Sequence, residues 1–334
     1  MSAHHPITTA TNRSFSGLLE CVLWNVQIMS MSFDKAEAAC SAHVGSVMLG
    51  TGSAIVCLLA ASFINNAIVL CSVVRTRSIN KLVYFFTANL AMSDLLAGME
   101  LLLYTIAMVE QSSSHEIMYS LTFLMFSQAM SVSGLCLMSI NSYVALKYPI
   151  LFYTQASDIQ SYAGVAIVSS WLVLSLLFAL PSMGLNCLDT PTESCFGLFH
   201  IAFIYGLVAM YVFLAMIILL TNIITFRAIR KRQGRGNEQK QWAREYEKNV
   251  HRAQTVMIHA VVAFIAVVVP RIAVVSTCHL DLKTCLMVTG PGGLVVLFVL
   301  NSAVNPIASI IRTPDLREGT WLGCMISRKW AKHD

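Results

Sequence analysis

Seven stretches of this chain are apolar for long enough to cross a lipid bilayer, and nothing else in it constrains the fold as much. They lie at about 45–74, 82–109, 117–146, 161–184, 199–226, 251–276 and 286–311. A spanning helix needs roughly 20 apolar residues. Hydrocarbon leaves the backbone no partner but itself, so such runs are read as helices. The composition agrees, with 56% hydrophobic and 12% charged residues, against about 25% charged in soluble domains. The expectation is an all-α membrane protein, a seven-transmembrane helix bundle. It divides into an N-terminal segment at 1–44, the transmembrane domain at 45–311 and a tail at 312–334. Residues 1–20 are polar, and the apolar stretch from Cys21 is broken by Asn25 and Gln27. That is not the pattern of a cleavable signal peptide, so the first span is expected to serve as its own insertion signal.

Lys and Arg set the expected orientation. With seven spans, all but Arg13, Lys35, Arg271 and Lys283 of the 22 basic residues fall on one side. That side is read as cytoplasmic, which places the N-terminus outside a multi-pass plasma-membrane protein. Asn12-Arg13-Ser14 is a glycosylation sequon on the outer side, consistent with this reading. The net charge of +5 is thereby assigned to topology and to anionic inner-leaflet lipid, not to nucleic acid.

Polar groups inside spans are costly, roughly 2.5–3.5 kcal/mol for a central Asp, so each needs a reason. Asp94 is central in span two. Asn66 in span one, Ser131 in span three, and Asn301, Ser302 and Asn305 in span seven lie at comparable depths. In a bundle these groups can converge on Asp94. Two readings stand side by side: a hydrogen-bonded knot, or a small cation site for sodium formed by Asp94, Ser131, Asn301, Ser302 and Asn305. Pro270 and Pro306 each remove a backbone bond and kink their spans, as hinges or as static bends.

The outer half of the bundle is unusually apolar. Span three carries no charge between Glu116 and Lys147, span five none from Ile201 to Phe226, and span seven none before Arg312. Only Glu100 and Arg271 bring charge towards a central cavity. Such a cavity suits an apolar or amphipathic lipid better than a peptide or sugar. No buried acid on span three is present for an amine ligand, and no Lys in span seven for retinal. No intramembrane acid pair, zinc cluster or nucleophile constellation is found, so an enzyme is not expected and no cofactor other than bound sodium is implied. His259 stands alone, and the glycines of GPGG at 290–293 are read as allowing a bend.

The motifs N-N-A-I-V in span one, N-L-A-M-S-D-L-L-A-G in span two, Trp171 in span four and N-S-A-V-N-P in span seven resemble those of rhodopsin-class G-protein-coupled receptors. Within that class the chain resembles lysophospholipid receptors, those for sphingosine-1-phosphate and lysophosphatidic acid, with cannabinoid receptors as near neighbours. YFFTANLAMSDLLAG, LPSMGLNC…SC and CHLDLKTC…VLNSAVNPI carry that likeness. The resemblance implies a lipid ligand, a heterotrimeric G protein as partner, and local outer-loop disulfides Cys187–Cys195 and Cys278–Cys285. The usual bond from span three to the second outer loop is not available, because Ile117 stands near the position of its cysteine. Free thiols are the alternative for each pair, and the pairing of Cys21 and Cys40 stays open. The resemblance also implies a short amphipathic eighth helix carrying Leu316, Trp321 and Leu322 on one face, with Cys324 as a palmitoylation site or a plain free thiol.

The departures from the family pattern cluster at its switches. Asp-Arg-Tyr reads Asn141-Ser142-Tyr143. Cys-Trp-x-Pro reads Val267-Val268-Val269-Pro270. Asn-Pro-x-x-Tyr ends at Ser309, and the inner Tyr of span five aligns with Thr221. Ser142 is too short and neutral to do what the family's Arg does, either in the inactive pairing or towards a G protein. The head-group positions of span three align with Ser120 and Leu121. Candidate ligand contacts are therefore Glu100, Ser120, Leu121, Leu124, Val268 and Arg271. Arg271 can bind phosphate in bidentate fashion. The blander reading, that it pairs with Glu100 or snorkels outward, is preferred. Two functions follow: a lipid-responsive receptor, or a seven-helix decoy or partner protein that binds ligand without activating G proteins.

Overall fold

The computed structural model describes residues 18–27, 29, 31–41, 49–75, 82–109, 113–148, 156–190, 195–196, 198–233, 261, 301–307 and 309–310. The helices among them are α1 (Leu18–Gln27), α2 (Phe33–Ser41), α3 (Leu49–Arg75), α4 (Leu82–Val109), α5 (Ser114–Lys147), α6 (Ala156–Ala179) and α7 (Ile201–Gln233). Residues 301–307 are helical as well. The helices α4 to α7 are long and apolar enough to cross a membrane, and α3 carries a shorter apolar core at Leu59–Val74. These are spans one to five of the sequence. Pro270, Arg271, Val268, Cys278, Cys285, Asn12, Cys324, His259, the GPGG stretch and the expected eighth helix all lie outside the described residues.

The helix α5 is the axis of the bundle, packed against α4, α6 and α7, while α3 packs on α4. From Leu124 to Met138 every α5 side chain is buried except the half-buried Met125 and Leu137. Its start follows from local sequence. Ser113 Oγ accepts from the Glu116 N–H at 3.4 Å, and a Glu116 carboxylate oxygen accepts from the Ser113 N–H at 3.2 Å. This capping box satisfies two N–H groups that a helix start leaves without partners. By contrast α6 turns Tyr162, Val165, Val168, Leu172 and Leu176 outward. That spacing of three to four residues marks a lipid-facing stripe.

Two spans differ from the sequence expectation. Span four was expected at 161–184, but α6 covers Ala156–Ala179. Its first turns hold Ser157, Asp158 and Gln160, which hydropathy assigns to a loop although the backbone is helical. Its end is set by Pro181, which opens a short 3-10 turn closed by Gly184 at φ 96°, a left-handed conformation that glycine adopts without strain. Span five was expected to end at 226, whereas α7 continues to Gln233. An apolar run measures the depth of lipid, and a helix can continue beyond it.

In the N-terminal segment, residues 18–27 and 33–41 are helical. Cys21 and Cys40 are bonded, with Cα atoms 5.7 Å apart, and clamp α1 to α2. Val22, Ala36 and both cysteines join a buried cluster with Leu101, Tyr104, Ile117, Met118, Leu198 and Phe199. The segment thus packs onto the α4 and α5 ends and the loop after α6. That loop carries the Cys187–Cys195 disulfide and a two-residue hairpin in which Cys195 pairs with His200 and Phe196 with Phe199.

Candidate functional site

Asp94 sits midway along α4 and is fully buried. One carboxylate oxygen accepts from the Ser302 hydroxyl at 3.1 Å, the other from Asn305 Nδ2 at 2.9 Å. Ser131 Oγ accepts from Asn301 Nδ2 at 3.1 Å and from Asn305 Nδ2 at 3.5 Å. Because Asn301 and Asn305 stand one turn apart, a single turn of span seven presents both amides to the same site. Four of the five cation-site candidates therefore sit in direct contact, and Asn301 joins through Ser131. Asn66 does not do what its depth led us to expect. Its Nδ2 donates to the Ser62 and Ser302 carbonyls, both at 2.9 Å, and so ties span one to the span-seven backbone. Pro306 leaves the Ser302 carbonyl without its helical N–H donor, so that carbonyl is available to Asn66.

Gln128 also belongs to this group, although the sequence reading passed over it. Its side chain is fully buried and its Nε2 donates to Ser302 Oγ at 3.5 Å. Among the described residues, Gln128 Oε1, Asn301 Oδ1 and Asn66 Oδ1 have no hydrogen-bond partner. Donors converge on the carboxylate while carbonyl oxygens remain unpaired, which is the donor set a hard cation takes. A large primary amide in an apolar run was the signal that could have singled it out.

Next to this cluster, Trp171 Nε1 donates to Asn89 Oδ1 at 2.9 Å, binding α6 to α4. Phe126 meets the edges of Trp171 and Phe178 at 6.0 and 5.9 Å. Gly134 of α5 faces the Asn89 amide so closely that a Cβ there would stand 3.0 Å from Asn89 Nδ2. Lipid removes the hydrophobic drive between helices, so contact of this kind and interhelical hydrogen bonds hold the bundle.

Outward of Asp94 the described residues are mostly apolar. Leu124 is fully buried and Leu121 packs on the cluster containing Leu101, Tyr104 and Met118. Glu100 is buried on α4, and Ser120 is half-buried beside Leu121.

At the inner end of α5, Asn141, Ser142 and Tyr143 are half-buried. The Ser142 hydroxyl donates to the Met138 carbonyl at 2.9 Å and is thus engaged by its own helix. The link from α5 to α7 lies one turn away. Asn222 Nδ2 donates to Ser139 Oγ at 3.0 Å, and the Ser139 and Thr221 hydroxyls are 2.6 Å apart. Thr221 in turn donates to the Ile217 carbonyl at 2.7 Å. This chain of bonds is neutral throughout. The sequence reading had Thr221 but not its partners.

The start of α5 gathers the outer segments. Glu37 of α2 accepts from the Ser114 N–H at 2.9 Å and its hydroxyl at 3.2 Å. His115 Nε2 lies 3.1 Å from Asp189 Oδ1. Asn186 Nδ2 donates to Asp189 Oδ2 at 2.7 Å, and its Oδ1 accepts from the Leu188 and Asp189 N–H groups at 2.8 Å. The Asn186 amide first, and then His115, hold the Asp189 carboxyl below the usual carboxylate range. Cys187, Cys195 and His200 lie close enough together to hold an ion, but the two sulfurs are already joined as a disulfide.

The family model "7 transmembrane receptor (rhodopsin family)" matches residues 65–308. The chain belongs to the rhodopsin family of seven-transmembrane receptors. It is a multi-pass membrane receptor and not an enzyme, and the family implies a seven-helix bundle, of which spans one to five and part of span seven are among the described residues. It is 26% identical to zebrafish sphingosine 1-phosphate receptor 1 over 274 residues, 76% of this chain and 72% of that receptor. It is 32% identical to rat sphingosine 1-phosphate receptor 2 over 150 residues, 42% of this chain and 40% of that receptor. It is 27% identical to rat G-protein coupled receptor 12 over 143 residues, 42% and 40% of the two chains.

Proposed function

We propose that this receptor binds an amphipathic lipid of the lysophospholipid type in the outer half of its bundle and signals through a heterotrimeric G protein. One observation carries the ligand class: Leu101, Tyr104, Met118, Leu121 and Leu124 make this half apolar, with Glu100 as its buried acid. The relatives named for sphingosine 1-phosphate support the same class. Ser120, Leu121, Leu124 and Glu100 would line the site with Val268 and Arg271. Binding would shift the population of two arrangements of spans five and six, with Pro270 and Pro306 as hinges. Sodium is the proposed occupant of the Asp94 cluster.

The proposed setting is the plasma membrane with the N-terminus outside. The two disulfides support it. Both lie at the end of the bundle where α5 begins, and disulfides persist in oxidising compartments. The basic excess falls at the other end.

The engaged Ser142 hydroxyl favours a second reading, a decoy or partner protein that binds ligand without activating G proteins. One experiment separates the two. G-protein activation is measured in cells with confirmed surface expression, basally and with a panel of lysophospholipids and endocannabinoids, for wild type and Ser142→Arg. A wild-type response supports the signalling receptor. Silence from wild type with a response from Ser142→Arg supports the decoy. Silence from both overturns the lipid assignment.

A further inference from the structure

One face of α5 reads Leu121, Leu124, Gln128, Ser131, positions that stack along a single helical stripe. The stripe runs from the apolar outer cluster to the Asp94 group. Gln128 is among the largest fully buried side chains of the described residues. A primary amide is expensive to bury there, and any aliphatic residue would fill the space. Ser302 fixes the orientation of the amide. Its hydroxyl donates to Asp94, so only its oxygen is left to accept Gln128 Nε2. Gln128 Oε1 therefore points away from Ser302, and it has no partner among the described residues. Asn301 Oδ1, on the other side of Ser131, is in the same condition.

We propose that Gln128 is a positioning residue of the cation site, extending it one helical turn towards the apolar outer cluster. Its NH2 holds the Ser302 hydroxyl against Asp94, and its carbonyl adds an oxygen to the shell of a bound monovalent cation. This rests on the sodium reading of the Asp94 cluster, and the test separates the two.

Detergent-purified receptor is unfolded thermally across a sodium chloride series, with choline chloride holding ionic strength constant. Wild type gains thermal stability from sodium over choline, and Asp94→Asn does not. Gln128→Leu needs about tenfold more sodium for half of that gain, the usual scale for loss of a supporting partner at a metal site. Gln128→Glu keeps an oxygen in place and retains the wild-type midpoint or a lower one. If Gln128→Leu does not fold, Gln128→Met takes its place in the same titration. A folded aliphatic variant with the wild-type sodium midpoint overturns the role of Gln128 and leaves the Asp94 site standing. A wild type indifferent to sodium overturns both.

Discussion

The hydroxyl chain between α5 and α7 allows a prediction with a worked magnitude. Ser139→Ala removes two interhelical bonds, to Thr221 at 2.6 Å and from Asn222 at 3.0 Å. Interhelical hydrogen bonds in membranes average about 0.6 kcal/mol and reach about 1.7 kcal/mol. The partners are not stranded by the change. Asn222 Nδ2 keeps the Ile218 carbonyl at 2.7 Å, and Thr221 keeps Ile217 at 2.7 Å. Ser139→Ala should therefore cost about 1 kcal/mol, without the larger penalty of an orphaned buried group. Reversible unfolding in mixed micelles gives the stabilities of Ser139→Ala, Thr221→Val and the double variant. The cycle should show about 0.6 kcal/mol of coupling, and because no member is charged, salt should leave it unchanged. Additivity to within about 0.3 kcal/mol would refute the bond as a stabilising link, and a strong salt dependence would refute its neutral character.

Other predictions concern packing and the outer face. Gly134→Leu should drive the Asn89 amide off α5, weaken its bond to Trp171 and cost about 1–3 kcal/mol; a thermal midpoint equal to wild type would contradict the close contact. Cys21→Ser should cost about 3 kcal/mol for a loop of 19 residues; a thermal midpoint unchanged from wild type would contradict the pairing. The depressed Asp189 carboxyl contributes stability that is complete above the ordinary carboxylate value of about 3.9 and is lost as pH falls through its lower folded value. Protection of the Leu188 and Asp189 amides, taken relative to intrinsic exchange at each pH, should thus hold down to the ordinary carboxylate value of about 3.9 and fall below it, whereas Asp189→Asn should show no such acid step.

Legibility in the sequence followed the physical rule behind each feature. The apolar cores of α4 and α5 were plain because apolar length is local, and α4 occupies the run at 82–109, whereas the capping box that starts α5 at Ser114 went unread. The ends of α6 and α7 were not, because hydropathy measures lipid depth and a helix obeys hydrogen bonding. The α1–α2 hairpin was hidden because its stability comes from a disulfide and from packing on α4 and α5. Asp94 announced itself by cost alone, as did the polar residues of span seven. Gln128, Ser139 and Asn222 carry a similar cost, yet their roles depend on which helix stands opposite, and that is not a property of any one span.

The sequence by itself determined that this chain crosses the membrane as helices, and its motifs placed it in the right receptor family. It also raised the expectation that the switch motifs are replaced, as at Asn141-Ser142-Tyr143. Only the tertiary structure decided how buried polar groups share their bonds. Asn66 goes to the span-seven backbone, Asn301 to Ser131, Ser142 to its own helix, and Ser139 to α7. Most of these choices depend on which helix stands opposite, among segments far apart in sequence. In a medium without water, a buried donor has only the acceptors that the packing brings to it.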